Sequence, residues 1–250
     1  MNLLVDIGNT ALKWAALNQG ALGPGSRVPA DDGLDAALND AWGGLPRPHR
    51  VLVAEVGAGT AGATVARWAH DRWGCESVQV TAKGAAFGVT NSYREPARLG
   101  VDRWLGLLAA RALDPQAAMI VDCGSAVTVD VLDGEGCHLG GLIVPGLGLA
   151  RRCLERYTQV RVDDGAAPEV SLLARDTAGA VRGGGLYAVV AFVDRVAQDI
   201  THALGGPLRR IITGGDATVL LPLLHDAYEH RPDLVLEGLA VVARADSCAS

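Results

Sequence analysis

Residues 6–13 read Asp6-Ile7-Gly8-Asn9-Thr10-Ala11-Leu12-Lys13, and they join two short apolar runs, Leu3 to Ile7 and Ala11 to Leu17. These runs predict two strands connected by a polar turn, because strands are short apolar segments bounded by turn residues. A second stretch, Asp122-Cys123-Gly124-Ser125, repeats the order of carboxylate, glycine and polar side chain after another apolar run. The sequence therefore predicts that one acidic hairpin occurs twice in the chain.

Similar elements are predicted after each acidic hairpin. Apolar periodicity and Gly or Pro punctuation indicate a third strand, then helices and further strands, in both halves. In the first half, two of the predicted helices cover residues 57–73 and 97–113, and a loop over residues 82–95 precedes the second of them. The pair Asp114-Pro115 ends the second of these helices. We therefore expect an α/β fold with an N-terminal domain, residues 1–114, and a C-terminal domain, residues 115–250, whose mixed sheets face each other across a cleft.

Composition restricts the classes of function. The chain has 250 residues, 49% of them apolar, and a formal net charge of -6, which argues against nucleic acid or an anionic membrane as a partner. Five cysteines form no C-x-x-C pair and six histidines show no metal-ligand spacing, which argues against a disulfide framework or a structural zinc site. No segment has a targeting pattern or approaches the ~20 apolar residues that span a bilayer. We expect a soluble, cytoplasmic protein.

Both acidic turns have the chemistry that a nucleotide's phosphates need. Glycine lets backbone N–H groups approach a phosphate, the hydroxyl groups of Thr10 and Ser125 donate hydrogen bonds, and the carboxylate holds a cation or its water. Lys13 supplies positive charge of the kind that phosphoryl transfer requires. Each turn alone is also typical of an ordinary hairpin. The prediction that both grip one triphosphate depends on the repetition and on a third turn, Gly214-Gly215-Asp216, against which an adenine ring could pack.

Four segments together resemble the ordered motifs of type III pantothenate kinases, a family of the actin-like ATPase and sugar kinase superfamily. They are D-I-G-N-T-A-L-K at residues 6–13, G-V-D-R at residues 100–103, D-C-G-S at residues 122–125 and I-T-G-G-D at residues 212–216. The first and last resemble motifs of the whole superfamily, whereas G-V-D-R after a Tyr-containing loop is similar to this family in particular. The resemblance covers nearly the whole chain. It implies two actin-like, ribonuclease H-like domains and the ATP-dependent phosphorylation of pantothenate to 4′-phosphopantothenate, the first step of coenzyme A biosynthesis.

The resemblance also implies roles for single residues. Asp102 is the implied base for the pantothenate hydroxyl, and Arg103 is the implied clamp for the pantothenate carboxylate or the transferring phosphoryl group. Asp122 is the implied ligand of a monovalent cation, potassium or ammonium, and Asp6 is expected near the magnesium ion of the nucleotide. The other implied ATP-binding residues are Ile7, Gly8, Asn9, Thr10, Ala11, Leu12, Lys13 and Ser125. The other implied pantothenate-binding residues are Tyr93, Gly100, Val101 and Thr177. A second subunit completes the pocket in relatives, so the resemblance implies a homodimer in which Thr177 reaches across.

Three alternative functions fit parts of the sequence. Residues 57–62 spell G-x-G-x-x-G after a strand, which is typical of a dinucleotide-binding oxidoreductase, although Glu76 precedes the next strand instead of ending it. A regulatory protein that keeps the fold without catalysis is the second alternative, and the intact acidic residues of the motifs argue against it. The third is another small-molecule kinase of the same superfamily, and only G-V-D-R with Tyr93 argues against that one.

Several of these residues also have ordinary structural interpretations. Asp102 and Arg103 fit a surface ion pair near the start of a helix, where the helix dipole favours the carboxylate. Tyr93 fits a packed aromatic residue. Thr177 fits a helix N-cap, because an apolar helix follows it.

Overall fold

The structure is a computed structural model that describes residues 1–57, 59–162 and 173–247. The chain divides into two compact units. The first consists of Met1–Pro115, Leu132–Gly140 and Asp233–Ser250, and the second consists of Gln116–Val131 and Gly141–Pro232. The chain first leaves the first unit one residue after the predicted boundary at 114. It returns to that unit for residues 132–140 and for the C-terminal segment, which the sequence pattern placed in the second half.

The described strands and helices follow the predicted order. The strands are β1 (Asn2–Ile7), β2 (Ala11–Asn18), β3 (Ala21–Leu22), β4 (Ser26–Pro29), β5 (Arg50–Glu55), β6 (Ser77–Gln79), β7 (Ala85–Ala86), β8 (Val89–Thr90), β9 (Ala118–Cys123), β10 (Ala126–Leu132), β11 (His138–Pro145), β12 (Arg209–Thr213) and β13 (Glu229–His230). The helices are α1 (Leu34–Trp42), α2 (Ala61–Trp73), α3 (Val101–Leu113), α4 (Leu147–Tyr157), α5 (Thr177–Leu204), α6 (Ala217–Leu220) and α7 (Leu234–Ser247).

The sheet of the first unit has the order β3-β2-β1-β5-β6, and β4 pairs with β2. Strand β1 is antiparallel to β2 and parallel to β5, so the predicted first hairpin is confirmed. Parallel strands end at the same edge of a sheet. The turn that follows β1 therefore lies at the edge where β5 also ends.

Tryptophan side chains fill the core on one face of this sheet. Trp42 is fully buried, and its ring contacts those of Trp14, Trp68 and Trp73 at centroid distances of 6.1, 5.5 and 5.9 Å. The β1 residues packed in the same cluster are Leu3, Val5 and Ile7. Because successive side chains of a strand alternate between faces, Asp6 points to the opposite face from this core.

The C-terminal helix α7 packs on α3. A Cβ atom at Gly238 would collide with the backbone carbonyl of Leu105, so glycine is what lets the two helices approach this closely. The Arg244 side chain also donates to the Gly20 carbonyl, at 3.0 Å from Nε and 2.8 Å from Nη2. These contacts explain why the last helix belongs to the first unit.

The sheet of the second unit repeats the strand order of the first. Its order is β11-β10-β9-β12-β13. In the first sheet β1 lies between β2 and β5, and in the second sheet β9 lies between β10 and β12 in the same way. Strand β12 is parallel to both β9 and β13. The long helix α5 covers this sheet with Leu186, Val189 and Val193, which pack against Met119 and Ile212 in one buried cluster. The predicted repetition of one plan is confirmed.

Three local predictions were wrong. Helix α2 begins at Ala61 and not at residue 57, because Gly57 has a φ of 90° and lies outside the helical region. The loop predicted over residues 82–95 contains the small hairpin of β7 and β8. Helix α3 begins at Val101 and not at residue 97, because Pro96–Arg98 form a separate 3-10 turn and the backbone at Leu99 is extended.

Candidate active site

The first acidic turn places opposite charges side by side. Asp6 on β1 is directly opposite Lys13 on β2 in the antiparallel register. Directly opposite residues project from the same face of a sheet, with Cβ atoms about 5 Å apart. The carboxylate and the ammonium group of the D-I-G-N-T-A-L-K segment therefore lie on one face of the sheet near the turn.

The tip of this turn is exposed, whereas its flanks are buried. The Gly8 N–H donates to the Ala11 carbonyl at 3.1 Å, which closes the hairpin. Asn9 and Thr10 are exposed, while the side chains of Ile7 and Leu12 lie in the tryptophan core. The polar groups of the tip, and the partly exposed Asp6 and Lys13 beside it, are available to a ligand in solution.

The G-V-D-R segment forms the start of α3. Gly100 is the N-cap and Asp102 lies in the first turn. The Asp102 carboxylate accepts the N–H of Arg103 through Oδ1 at 2.8 Å, at a helix end that stabilises negative charge. A Cβ atom at Gly100 would lie 2.6 Å from the same Oδ1. The Asp102 carboxylate therefore occupies the space that any other residue at position 100 would need for its side chain.

Arg103 is buried, with 8% of its surface exposed. Its Nη1 donates to the Tyr93 hydroxyl at 2.8 Å, and its Cζ lies 5.6 Å from the centre of the Tyr93 ring. The interpretation of Arg103 as part of a surface ion pair is wrong, because the guanidinium group is held inside the unit against an aromatic ring. The structure thus brings together Tyr93, Asp102 and Arg103, three of the residues that the resemblance assigns to the pantothenate pocket.

The backbone around Tyr93 is fixed by a buried amide that the sequence reasoning missed. Asn91 is 8% exposed, and its Nδ2 donates to the carbonyls of Lys83 and Pro96, both at 3.2 Å. Its Oδ1 accepts the N–H of Tyr93 at 3.0 Å. Asn-Ser in a polar loop gives no sequence signal for such a role, since Asn is common in loops for many reasons.

The second acidic turn lies against the Gly-Gly-Asp turn. Asp122 at the end of β9 is opposite Thr213 at the end of β12, and the Asp216 N–H donates to the Cys123 carbonyl at 2.9 Å. Gly214 has a φ of 94°, and a Cβ atom there would collide with the Cys123 backbone and lie 2.5 Å from Asp122 Oδ1. Glycine is required at this position on both counts. Two of the predicted motifs therefore contact each other in the second unit.

Burial raises the pKa of two groups in these turns. Burial, with the nearby charges of Asp122 and Asp216, raises the pKa of the Cys123 thiol to about 12. The thiol therefore stays protonated and is a poor nucleophile. Burial also raises the pKa of Asp216 above its ordinary value.

The remaining predicted residues of the second unit are Ser125 and Thr177. The Gly146 N–H donates to the Ser125 carbonyl at 3.1 Å, which joins the acidic turn to the bend before α4. Thr177 is the first residue of α5, and the N-cap is Asp176, whose Oδ1 accepts the Gly179 N–H at 2.7 Å. The interpretation of Thr177 as the N-cap is therefore wrong.

The donor set suits a cation that a nucleotide brings with it. Among the residues that the structure describes, no group of three or more His, Cys, Asp and Glu side chains could hold a metal ion. Magnesium is usually held by one or two carboxylates together with substrate phosphates, and not by a complete protein cage. Single carboxylates such as Asp6 and Asp122 fit that pattern.

The G-x-G-x-x-G segment does not form a dinucleotide site. In such sites a pyrophosphate binds the N–H groups at the start of the helix. Here the Gly62 N–H at the start of α2 donates to Oε1 of Glu55 at 3.0 Å. A carboxylate of the chain itself occupies the position that a pyrophosphate would need, so the oxidoreductase alternative is wrong.

Comparison with solved structures defines the class of the fold. A structure described as a conserved Baf family transcriptional activator from Campylobacter jejuni is 18% identical, with a TM-score of 0.60 and coverage of 98% of this chain and 99% of that one. Component A of the (R)-2-hydroxyglutaryl-CoA dehydratase of Acidaminococcus fermentans is 14% identical, with a TM-score of 0.52 and coverage of 100% and 99%. These likenesses concern the fold alone. With the repeated sheet order, they define the fold as an α/β protein with two sheets of the same strand order.

Comparison with sequences defines the family. The family model for type III pantothenate kinase matches residues 2–199. The type III pantothenate kinase of Nitrosococcus oceani is 44% identical over 99% of this chain and 95% of its own length. That of Halorhodospira halophila is 40% identical over 96% of both chains. The chain belongs to the type III pantothenate kinase family, and it is therefore a kinase.

None of the helices that the structure describes is long and apolar enough to cross a membrane.

Proposed function

We propose that the chain transfers the γ-phosphoryl group of ATP to the hydroxyl group of pantothenate, which yields 4′-phosphopantothenate and ADP in the first step of coenzyme A biosynthesis. The observation that carries this proposal is the family match over residues 2–199, with full-length relatives of the same name. The test uses the purified chain with ATP, magnesium and potassium, and measures ADP release with pantothenate and with a panel of sugars and carboxylates. ADP release that depends on pantothenate supports the proposal. No release with pantothenate under any monovalent cation contradicts it.

In this reaction Asp102 accepts the proton of the pantothenate hydroxyl. As that proton leaves, the hydroxyl oxygen bonds to the γ-phosphorus, and the bond from phosphorus to the β,γ-bridging oxygen breaks to release ADP. The transition state of phosphoryl transfer is loose, so the base mainly orients the nucleophile and an ordinary aspartate is basic enough. The fixed position of the Asp102 carboxylate, bonded to the Arg103 N–H and seated over Gly100, supports this role.

Arg103 binds an anion of the substrate in this proposal. Its planar guanidinium group suits the pantothenate carboxylate or the transferring phosphoryl group, because both accept two parallel hydrogen bonds. Nη1 already donates to the Tyr93 hydroxyl, which fixes the plane of the group. We assign Tyr93, Gly100 and Val101 to the same pantothenate pocket, with Thr177 supplied by a second subunit.

ATP binds both acidic turns in this proposal. Residues 6–13 contribute the exposed Asn9 and Thr10, the backbone N–H groups of the tip and the charge of Lys13. Ile7 and Leu12 contribute only backbone atoms, because their side chains are buried. Ser125 contributes its hydroxyl group, and Gly214-Gly215 pack against the adenine ring.

Two cations complete the proposed site. Asp6 lies near the magnesium ion of the nucleotide, and Asp122 binds potassium or ammonium. Both assignments fit the preference of hard cations for oxygen ligands. A bound cation neutralises charge that develops on the phosphates. The chain itself positions the two carboxylates at the ends of β1 and β9.

The chain functions as a homodimer in this proposal. In α4, of the residues that the structure describes, none is buried, although Leu154 and Tyr157 are apolar and exposed. On β11 of the same unit, Leu142 and Ile143 are also exposed, Ile143 by 61%. Exposed apolar side chains of this kind are candidates for a protein interface. Light scattering should give twice the chain mass of 25.9 kDa, and a fully active monomer would contradict the dimer.

The two remaining alternatives predict different assay results. Another small-molecule kinase would release ADP with a sugar or a different carboxylate, and a regulatory relative would release none. We place the enzyme in the cytoplasm, where its ATP is available.

A further inference from the structure

His138 is a buried histidine that the sequence reasoning left without a role. It begins β11, in the segment Leu132–Gly140 that belongs to the first unit. Its side chain is polar, yet only 2% of the residue is exposed. Buried polar groups are nearly always hydrogen-bonded, so the contacts of this ring with its neighbours indicate its role.

The His138 ring stacks on Tyr93. The two ring centroids are 6.0 Å apart and the planes differ by 18°, which is an offset parallel arrangement that aromatic pairs favour. Nδ1 of His138 also lies 3.4 Å from the Ser92 hydroxyl. The second contact is long for a hydrogen bond, so the contact of His138 with Tyr93 is mainly the ring stack.

The stack continues to the guanidinium group of Arg103. The Tyr93 hydroxyl accepts from Arg103 Nη1 at 2.8 Å, and Arg103 also lies over the Tyr93 ring. Asn91 fixes the backbone of Tyr93 through the Tyr93 N–H. The Tyr93 side chain, and with it the hydroxyl oxygen, therefore contacts both His138 and Arg103.

We propose that His138 is a positioning residue for pantothenate, acting through Tyr93 on the guanidinium group of Arg103. This inference rests on the proposed function of Arg103 as the group that binds an anion of the substrate. His138 does not touch the substrate. Its ring restricts rotation of Tyr93, so that the hydroxyl group holds Nη1 and the rest of the guanidinium fork keeps the orientation that the substrate anion requires.

A role in positioning and a role in core packing predict different kinetics. If His138 only fills space, its loss lowers stability and the fraction of active enzyme, and it affects both substrates alike. If it positions Arg103, its loss raises the KM for pantothenate while the KM for ATP stays the same. The split between the two KM values is therefore the readout.

Two replacements separate the ring from the polar nitrogen. His138→Phe keeps a flat ring against Tyr93 and loses the contact with Ser92, whereas His138→Gln keeps a polar group and loses the ring. We expect His138→Gln to raise the KM for pantothenate about 10-fold, the scale of one aromatic pair, and His138→Phe to raise it less than about 2-fold. The reverse order, or equal effects on the KM for ATP, would overturn the proposal. Ser92→Ala, an exposed control, should leave both KM values unchanged.

A second measurement stays informative if the His138 variants fold poorly. Tyr93→Phe keeps the aromatic ring that stacks on His138 and removes the hydroxyl group that accepts a hydrogen bond from Arg103. It should therefore raise the KM for pantothenate about 10-fold, the effect of losing one hydrogen bond to a charged group. In the Tyr93→Phe enzyme, adding His138→Gln should raise the KM for pantothenate by less than a further factor of about 2, because the hydrogen bond that connects Tyr93 to Arg103 is already absent. Fully additive effects, or an unchanged KM in Tyr93→Phe, would refute the path. A wild-type enzyme without pantothenate-dependent ADP release would instead refute the proposed function.

Discussion

Replacing Gly100 by alanine tests whether the position of the Asp102 carboxylate determines turnover. The added Cβ atom would lie 2.6 Å from Asp102 Oδ1, and ordinary contacts begin at 3.4 Å. The oxygen must therefore retreat by about 3.4 minus 2.6, or ~0.8 Å, and a misplacement near 1 Å can cost about 10²-fold in rate. The backbone at Gly100 has φ -53° and ψ 136°, which alanine adopts without strain. The fold should survive while the carboxylate moves.

We expect Gly100→Ala to lower kcat by about 10²-fold with no loss of thermal stability and no change in ATP affinity. Coupled ADP release measures kcat, calorimetry measures ATP binding, and a thermal melt monitors the fold. Gly44→Ala is the matched control, because a Cβ atom at Gly44 would meet nothing within 4 Å. A folded Gly100→Ala enzyme with kcat within about 2-fold of wild type would refute the reasoning, since the displaced carboxylate would then not matter.

Four further changes test other parts of the structure. Asp102→Asn should lower kcat by ~10²-fold or more, the usual effect of losing a general base, and leave the ATP affinity measured by calorimetry unchanged. Near-normal turnover would show that Asp102 is not the general base. Asp122→Asn should raise the potassium concentration for half-maximal activity at least ~10-fold, as lost cation partners usually do, and an unchanged potassium titration would contradict the assignment. Gly238→Ala should lower the free energy of unfolding in urea by ~1–3 kcal/mol through overpacking against α3, and an unchanged midpoint would argue against this close contact. Because burial and the neighbouring carboxylates raise the pKa of Cys123, iodoacetamide near neutral pH should label the exposed Cys153 and spare Cys123, and mass spectrometry would expose the opposite pattern.

Local elements could be predicted from the sequence where composition and periodicity agree. The run Leu3 to Ile7, the turn at Gly8 and the run to Leu17 specify a hairpin by short-range rules alone. The Asp-x-Gly repeat at residue 122 then indicated a second copy of the same plan, and both sheets have the same strand order. The resemblance of residues 100–103 to a known motif predicted a shared pocket for Tyr93, Asp102 and Arg103, which lie together in the structure.

Non-local contacts could not be predicted in this way. Nothing in the sequence near Gly238 shows that it packs on Leu105, so chain order alone grouped α7 with the elements of the second unit. The start of α2 depends on Glu55 and Gly62 meeting across a turn, and a two-residue strand such as β7 is too short to show a period. His138 gives no motif, because its meaning comes from Tyr93, which is distant in sequence.

The measurement that tests the central claim most directly is a crystal structure of the chain with a non-hydrolysable ATP analogue, magnesium and potassium. We predict that the polyphosphate of one bound analogue lies within about 3.5 Å, the limit of hydrogen bonding, of donors from the turn at residues 8–10 and of donors from the turn at residues 124–125. A nucleotide whose phosphates contact one turn while the other contacts none would contradict the claim that the repeated acidic hairpins bind the same triphosphate.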